Sequence, residues 1–566
     1  MKFIHIDMTN GSIAERSTPE EYAMLGGRGL TSIMINDLVP ADCDPLGKDN
    51  LLIFAPGFLS GTPLVNTGRL SIGSKSPLTM GIKESNVGGT MAMALARHGI
   101  RAVIVEGKAK AESLYHIMID KTGAISLIDA TTHKGMHNYA LTKALIAEHG
   151  DKSAIACAGP AGELGMRSAS IQVTDPDGNP SRAAARGGLG AVMAAKGLKA
   201  LIVSRQGKTP REVKDDALMN DTAKSFTRGI QRDGWASQVL PQFGTASILA
   251  NTNASGALPT RNARQGSFEG ADAINGDTLA ENIRKRGGQC THKGCSRCII
   301  NCSNVYVDTS GKPLTSGLEY ETMWAMGAMI GVADLDSVAR LDFLCDDIGL
   351  DTMNTGTAIA VAMDAGYLEF GDAAGAIRLV EEVAKGTELG ILIGHGPDAV
   401  GARFNHTRVP TIKGQSIAGY DPRAMPGMGV TYATSPQGGD HTAGFVGGAR
   451  GTTEMLKNVS ESSQINMAAV DAMGVCMFAQ SGGQDNMYKA VSAITGEPFD
   501  YADWVKLGNR IMSAELEFNR RAGLTDNDDA LPDMFHDELL SAIYGAVPYN
   551  KSDLHGTLTS TTDGNE

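Results

Sequence analysis

A group of closely spaced cysteines constrains this sequence more than any other feature. Cys295, Cys298 and Cys302 have the spacing C-x2-C-x3-C, and Cys290 precedes them with the spacing C-x4-C. Three thiolates on one loop are typical of an iron–sulfur cluster whose fourth ligand comes from elsewhere in the chain. The C-x4-C-x2-C spacing is also that of two-iron clusters, and four close cysteines would also suit structural zinc. The spacing therefore favours an iron–sulfur cluster and leaves zinc or free thiols open.

The chain is acidic, since its 566 residues carry a formal net charge of −13 at pH 7. This charge argues against a nucleic-acid-binding protein, because such proteins usually present a basic face to the phosphates. The first residues lack an apolar signal-peptide core, and no apolar run approaches the length of about 20 residues that spans a bilayer. We therefore expect a cytoplasmic protein with no membrane span, in which the cysteines form no disulfides.

The secondary-structure pattern changes near residue 208. Before it, the sequence predicts hairpins at 2–13 and 113–128, strands at 102–106 and 200–204, and a helix at 91–98. After it, helical periodicity covers 217–231, 319–330, 334–345, 355–365, 372–386 and 501–522. No fixed-period repeat is evident. The pattern predicts an α+β fold: a β-sheet-rich domain over 1–208 is followed by two mainly helical domains over 209–410 and 411–566.

Two short segments match each other, residues 346–351 and 471–476. Both read D-x-x-G-(L/V)-(D/C), which indicates a helix that ends at glycine, with an acid before the turn and a ligand-type residue after it. A single copy means little, because many helices end at glycine. Two copies are more specific, and the second ends in the isolated Cys476. Cys476 is therefore the natural fourth ligand of the cluster.

At this point the sequence resembles the tungsten-dependent aldehyde ferredoxin oxidoreductase family. In that family two D-x-x-G-L-(D/C) turns each hold one of two pterins that chelate a single metal, and the cysteine of the second turn completes a [4Fe–4S] cluster. Val475 stands where leucine is usual. Further matching segments occur in the family's order at 26–30, 68–70, 75–79, 84–89, 106–109 and 182–193. The resemblance implies that the N-terminal domain forms a base for the cofactor.

The resemblance also implies the cofactor-binding residues. Glycine beside arginine suits phosphate, because the backbone can approach while the guanidinium binds bidentately. The implied pterin and phosphate residues are Arg69, Asn86, Gly88, Arg182, Ala183, Arg186, Gly187 and Gly188. The turn residues implied are Asp346, Gly349, Leu350, Asp351, Asp471, Gly474 and Val475. A Mg²⁺ would link the phosphates through the main chain of Asn86 and Ala183, and the metal would be tungsten or, with the same geometry, molybdenum.

Two further segments resemble the family's active-site motifs. Glu319-Tyr320-Glu321-Thr322 resembles E-Y-E-(T/S), and Gly438-Gly439-Asp440-His441 resembles G-x-D-H. By this resemblance Glu321 is the general base or proton shuttle, and His441 donates a hydrogen bond to the aldehyde oxygen. Tyr320 and Glu319 are lesser candidates. We expect a raised pKa for a buried Glu321. Cys345 is expected to be a buried apolar residue, and Cys290 is not expected to be a ligand.

The function implied by the resemblance is the reaction RCHO + H₂O → RCOOH + 2 e⁻ + 2 H⁺, in either direction. The electrons would leave through the [4Fe–4S] cluster to ferredoxin or a ferredoxin-like subunit, within a homo- or hetero-oligomer. One alternative is the catalytic subunit of a larger complex, either an aldehyde oxidoreductase with electron-transfer subunits or an aryl-CoA ring reductase. An alternative of another class is a zinc-stapled binding protein without a redox role.

Overall fold

A computed structural model describes residues 1–558. Its N-terminal part contains two six-stranded sheets, and the rest is mainly helical. The predicted α+β fold class is therefore confirmed, whereas the boundaries at 208 and 410 stay a prediction. Among the helices of residues 1–558, none combines the length and the apolar character that a membrane span requires.

The two sheets share one strand order. The first contains, in spatial order, Ser12–Ser17, Lys2–Asp7, Ile100–Glu106, Leu52–Pro56, Leu70–Lys75 and Ile82–Val87. The second contains, in the corresponding order, Ile125–Asp129, Tyr115–Ile119, Leu198–Ser204, Ser153–Ala158, Ile171–Val173 and Arg182–Ala184. In each sheet the second and third of these strands are parallel, and the other neighbouring pairs are antiparallel. Residues 2–106 and 115–204 therefore form a structural repeat.

The two repeats pack through their helices. Helices Met91–Arg97 and Leu189–Ala195 lie between the two sheets and share one buried core with both. Helix Gly27–Leu38 packs on the opposite face of the first sheet, and Asn138–His149 packs on the opposite face of the second. Both sheets are therefore covered on both faces, which explains why their central strands are buried along almost their whole length.

The remaining helices follow the second sheet. They are Asp216–Arg232, Leu240–Phe243, Ser247–Ala254, Gly276–Arg286, Tyr320–Ala325, Leu335–Ile348, Thr352–Asp364, Ala373–Lys385, Glu388–His395, Pro397–Phe404, Pro426–Thr434, Thr453–Met473, Gln484–Thr495, Tyr501–Arg521 and Asp533–Asp537. A short helix, Pro160–Glu163, lies within the second repeat. Two small sheets complete the fold: Gln289–His292 with Ser303–Val307 and Pro313–Ser316, and Thr411–Ile412 with Gln415–Ser416. The first of these sheets flanks the cysteine loop.

Most of the predicted elements are confirmed, including both hairpins. The continuous helix predicted over 319–330 is wrong, because the helix covers only Tyr320–Ala325 and a short 3₁₀ turn follows at Ala328–Ile330. Gly327 separates the two with φ −114° and ψ −97°, and a Cβ there would collide with the Met323 carbonyl oxygen. The break thus depends on a glycine that lets the backbone fold back on the preceding turn.

Candidate cofactor and active site

The first D-x-x-G turn joins two buried helices. Helix Leu335–Ile348 ends at Gly349, which has a left-handed backbone with φ 82°. The Gly349 carbonyl accepts a hydrogen bond from the Ser170 N–H at 2.9 Å. A Cβ at Gly349 would lie 3.1 Å from the backbone nitrogen of Gly159. Asp351 then caps the next helix. The left-handed backbone strongly favours glycine at this turn, and the close packing adds to that preference.

The second turn is built in the same way. Helix Thr453–Met473 ends at Gly474, with φ 72°, and the Gly474 carbonyl accepts a hydrogen bond from the Arg69 N–H at 3.2 Å. A Cβ at Gly474 would lie 2.6 Å from the Cα of Gly57. Cys476 follows two residues later, at the start of a 3₁₀ helix.

The two turns contact equivalent positions of the two repeats. Arg69 and Ser170 each immediately precede the fifth strand of their sheet, and Gly57 and Gly159 each follow the fourth strand. The residues after the two turn glycines are both buried apolar residues, namely Leu350 and Val475. The paired motifs predicted from sequence are therefore also paired in space, one on each repeat.

The aspartate that begins each turn is largely buried beside a second carboxyl group. Burial raises the pKa of Asp471 to about 8, with a further contribution from Glu84 and an opposing one from Arg28, which lies 3.5 Å away. Burial also raises the pKa of Asp346 well above its ordinary value, and the neighbouring Asp342 adds to the effect. A protonated carboxyl group can donate a hydrogen bond, so the raised pKa values favour the form of each aspartate that could donate to a polar ring.

Two buried arginines from the second repeat face the turns. Arg182 donates a hydrogen bond to the Ser316 carbonyl at 2.8 Å, and Arg186 donates to the Gly439 carbonyl at 2.7 Å. The Nε atom of each arginine is buried without a hydrogen-bond partner, and so is Oδ2 of Asp351, 3.5 Å from Nε of Arg186. Buried polar atoms are normally paired. This arrangement fits a polar, anionic group bound between the arginines.

The corresponding region of the first repeat contains Arg69, Asn86 and Gly88. The Nε of Arg69 donates to Oδ1 of Asn86 at 2.5 Å. A Cβ at Gly88 would lie 3.2 Å from Nη1 of Arg69 and would collide with the Cys295 sulfur. Asn86 and Ala183 occupy equivalent positions, each opposite the second residue of the fifth strand. The predicted cofactor residues of the two repeats thus lie at equivalent edges of the two sheets. Gly88 allows the edge of the first sheet to contact the cysteine loop.

The Arg186-Gly187-Gly188 turn begins the helix Leu189–Ala195. Gly187 and Gly188 have φ 91° and 76°, and the Gly187 carbonyl accepts a hydrogen bond from the Ser76 hydroxyl at 2.7 Å. Successive left-handed glycines before a helix turn backbone N–H groups in one direction, which suits an anion.

The cysteine loop and the second turn meet at Asn66. The Asn66 carbonyl accepts a hydrogen bond from the Cys476 N–H at 2.9 Å, and its side-chain amide donates to the Cys298 sulfur at 3.3 Å. Burial raises the pKa of the Cys302 thiol well above its ordinary value, and charges at Cys476, Cys298 and Cys295 raise it further. All four predicted ligands are therefore neighbours. Thiols with raised pKa values bind metal only as thiolates, so this group suits a strongly cationic centre that deprotonates them.

Within residues 1–558, no three His, Cys, Asp or Glu side chains converge closely enough to hold a single metal ion. Cys290 points elsewhere, its thiol donating to the Ala280 carbonyl at 3.6 Å. Cys345 is buried in the apolar core, as predicted.

Glu321 and His441 face each other across the site. Oε1 of Glu321 lies 3.3 Å from Nε2 of His441, and Oε2 accepts a hydrogen bond from the Gly419 N–H at 2.9 Å. Burial raises the pKa of Glu321, as predicted, although the charge of His441 opposes the shift. Oε1 of Glu321 and Nδ1 of His441 are buried without a hydrogen-bond partner. The pair is thus held in position and keeps free polar atoms for a third group.

The two lesser candidates, Glu319 and Tyr320, directly precede Glu321 in sequence but have other partners. The Tyr320 hydroxyl donates to the Gly419 carbonyl, and its backbone N–H donates to the Thr245 hydroxyl at 2.8 Å. Glu319 accepts a hydrogen bond from the Thr245 hydroxyl at 2.5 Å and lies 3.5 Å from Nη1 of Arg182. Both contacts fix the start of the helix that carries Glu321.

Comparisons with known proteins agree with this geometry. The sequence profile described as "Aldehyde ferredoxin oxidoreductase, N-terminal domain" matches residues 3–205, and that described as "Aldehyde ferredoxin oxidoreductase, domains 2 & 3" matches residues 221–553. This chain belongs to the aldehyde ferredoxin oxidoreductase family. The resemblance predicted from sequence is thereby confirmed, as is the prediction of an oxidoreductase enzyme, and the zinc-stapled binding protein is set aside.

Two relatives and one solved structure illustrate the similarity to this aldehyde ferredoxin oxidoreductase family member. The tungsten-containing aldehyde ferredoxin oxidoreductase of Pyrococcus abyssi is 33% identical, over 94% of this chain and 90% of the relative. That of Pyrococcus furiosus is also 33% identical, over 95% and 91%. The active site complex BamBC of benzoyl coenzyme A reductase, in complex with 1,5-dienoyl-CoA, shares 20% identity with a TM-score of 0.80 over 94% of this chain and 90% of that one. The last similarity shows the fold alone.

The sequence motifs do not include several residues of this site. The Tyr420 ring lies 5.7 Å from the ring of His441 and 5.1 Å from that of Phe445, which gives the site an aromatic wall. Lys83 pairs with Asp440 at 3.1 Å, next to His441. A lone tyrosine and a lone lysine carry no motif, so no sequence signal pointed to them. Asp440, by contrast, lies within the recognised motif beside His441.

Proposed function

We propose that this chain oxidises aldehydes to carboxylic acids with a tungsten bis-pterin cofactor and passes the electrons through a [4Fe–4S] cluster to a ferredoxin-type acceptor. The observation that carries the proposal is the pair of equivalent turns. Each contacts one repeat of the N-terminal domain, and Cys476 follows the second turn directly. Such an arrangement suits two similar ring systems that share one centre and lie beside an iron–sulfur cluster.

Different residues of the site would hold the pterin rings, the phosphates and the Mg²⁺ of the cofactor. Buried Asp346 and Asp471 would donate hydrogen bonds to the two pterin rings. Arg69, Arg182 and Arg186 would bind the phosphates, with Gly187-Gly188 offering backbone N–H groups. Mg²⁺ would bridge the phosphates beside the main chain of Asn86 and Ala183, because Mg²⁺ commonly keeps waters and needs few protein ligands. Tungsten, rather than molybdenum, is proposed because the similar curated proteins are tungsten-containing.

When bound, the tungsten bis-pterin supplies the two-electron redox chemistry, and the protein supplies position and proton transfer. His441 would donate a hydrogen bond to the aldehyde oxygen and polarise the carbonyl carbon. Glu321, 3.3 Å away, would accept a proton from the water whose oxygen enters the product. The Gly419 N–H fixes one oxygen of Glu321, so the other stays directed into the site. The raised pKa brings Glu321 closer to neutrality, where a proton shuttle works best.

The electron path would run beside the first repeat. Gly88 lies between Arg69 and the Cys295 sulfur, because a side chain there would collide with that sulfur. A glycine therefore keeps the proposed pterin edge close to the proposed cluster, and close spacing favours rapid single-electron transfer. All eight cysteines are free thiols, which agrees with a reducing, cytoplasmic location. The acceptor would be either a free carrier or a partner subunit in an oligomer.

Steady-state kinetics under anaerobic conditions would test the proposal. The tungsten-loaded enzyme should reduce a low-potential acceptor with aldehydes from acetaldehyde to benzaldehyde, and Glu321→Gln should lose that activity while it keeps its metal content. Metal-loaded enzyme that is inactive with every aldehyde but reduces an aryl-CoA would instead support the ring reductase. Zinc in place of tungsten and iron would contradict both.

A further inference from the structure

A group of basic residues lies beside the cysteine loop. Arg97, Lys208 and Arg297 are exposed, and Arg205 and Arg211 are partly exposed. We call these five residues the basic patch. Arg297 lies between the proposed cluster ligands Cys295 and Cys298, so the loop that holds the cluster reaches the surface within this patch.

Backbone contacts hold the members of the basic patch together. Nη1 of Arg97 donates to the Arg205 carbonyl at 2.9 Å. The Arg97 carbonyl accepts a hydrogen bond from the Thr209 N–H at 2.9 Å, which brings Lys208 alongside. The positive charge of Arg97 also contributes, after burial, to a lowered pKa of Arg297, as expected for two neighbouring cations.

The cysteine loop and Arg211 approach the same surface turn. Nη2 of Arg297 donates to the Pro63 carbonyl at 2.7 Å. Two residues earlier in the chain, a Cβ at Gly61 would lie 3.7 Å from the Cβ of Arg211. The guanidinium of Arg211 lies 5.0 Å from the centre of the Phe58 ring. The basic patch is thus continuous from the helix end at Arg97 to the cysteine loop.

The positive charge of the basic patch is largely uncompensated within the chain. Its side-chain hydrogen bonds go to backbone carbonyl groups and, from Arg211, to the Met1 sulfur, and no ion pair of the described residues includes any of its five members. Glu212, next to Arg211, is the acid that partly offsets it. The whole chain nevertheless carries a net charge of −13. A local concentration of unpaired cations on an acidic protein produces a field that selects and orients a negatively charged partner.

We infer that the basic patch is the docking surface for an acidic one-electron carrier with an iron–sulfur centre. The inference rests on the proposed function, because it requires a redox cluster behind the cysteine loop. One electron passes from the reduced cluster to the oxidised carrier, and no bond or proton changes. A carrier docked here faces the loop that supplies three of the four proposed ligands, so the distance between the two centres is short.

Pre-steady-state electron transfer would test this inference without an aldehyde. Dithionite-reduced holoenzyme, freed of excess reductant, is mixed with an oxidised acidic ferredoxin, and the second-order rate constant is measured by stopped-flow absorbance. The test variant is the double exchange Arg97→Glu with Lys208→Glu, because neither residue lies on the cysteine loop. The control is Lys110→Glu with Lys385→Glu, which makes the same change in net charge at two exposed lysines elsewhere.

We expect the rate constant of the test variant to fall by about tenfold or more at low ionic strength, and to approach that of the wild type at high salt. The control variant should change the rate constant by less than about twofold. Equal losses in the two double variants, or no loss in the test variant, would overturn the inference. Because dithionite loads the electrons, failure of every aldehyde as a substrate would count against the proposed function only.

Discussion

The close approach of the second turn to the first repeat gives a quantitative prediction. Gly474→Ala should destabilise the protein in two ways. The left-handed backbone at φ 72° costs a non-glycine residue about 1–2 kcal/mol. In addition, the new Cβ would lie 2.6 Å from the Gly57 Cα and 3.0 Å from the Gly57 nitrogen, and backbone atoms yield little. Overpacking of this kind costs about 1–3 kcal/mol, so the total is about 2–5 kcal/mol.

Gly287→Ala is the matched control. Gly287 also ends a helix, with φ 80° and ψ 23°, and Gly474 has φ 72° and ψ 23°. No heavy atom lies within 4 Å of a Cβ at Gly287, so that variant pays only the backbone cost of about 1–2 kcal/mol. Thermal unfolding of the two variants, together with cofactor content, would measure the difference. If Gly474→Ala were no less stable than Gly287→Ala and bound its cofactor normally, the proposed close contact between the turn and the first repeat would be refuted.

Three further predictions concern the site. The kcat/KM for aldehyde should rise with pH through the raised pKa of Glu321, because only the carboxylate accepts a proton; a pH profile of Glu321→Gln should lack this rise and show kcat lower by about 10²–10⁴-fold. Cys476→Ser should lose the electron paramagnetic signal of the reduced [4Fe–4S] cluster, whereas Cys345→Ser should keep it. Lys83→Gln should lower the free energy of unfolding by about 1.5–3 kcal/mol at pH 7, because Asp440 loses the hydrogen bond from its ammonium partner while Arg186 and His441 still compensate part of its charge. Despite burial, the charges of Lys83, Arg186 and His441 lower the pKa of Asp440 below the ordinary aspartate value of 3.8. The stability that these charges provide is therefore fully present at pH values above 3.8 and is lost as the pH falls below that value. Urea unfolding should therefore show the Lys83→Gln deficit narrowing below pH 3.8.

Features determined by a few neighbouring residues could be predicted from the sequence. The D-x-x-G turns depend on one left-handed glycine at a helix end, and both are found where the motif places them. The first hairpin follows from Thr9-Asn10-Gly11, where Gly11 has φ 74°. Such local backbone conformations restrict which residue types can occupy the position, so the residue type predicts the conformation.

Features that depend on distant contacts could not be predicted. Helix Thr453–Met473 carries the second turn, and the D-x-x-G motif predicts only its end, because the apolar periodicity does not indicate the rest of the helix. Its buried face includes Ser460 and Gln464, whose amide donates to the Thr434 hydroxyl at 3.0 Å. Polar residues on the inner face blur the apolar periodicity from which helices are predicted. The Thr434 hydroxyl, which pairs with the buried Gln464 amide, lies 30 residues away in the sequence.

The duplicated architecture of the N-terminal domain was also invisible in the sequence. The two repeats share strand order and direction, yet equivalent positions hold different residues, such as Arg69 and Ser170. Both residues donate a backbone N–H hydrogen bond to the turn that contacts their repeat, and every residue except proline has such a group. A fold can therefore repeat without any repetition of sequence.

Aldehyde-driven reduction of the enzyme's own cluster tests the central claim most directly. Tungsten-loaded enzyme is mixed anaerobically with an aldehyde and no external acceptor, and the visible absorbance of the iron–sulfur cluster is followed by stopped flow. The proposed function predicts that the absorbance bleaches in the wild type and bleaches far more slowly in Glu321→Gln. An absorbance that dithionite bleaches but no aldehyde does would contradict it.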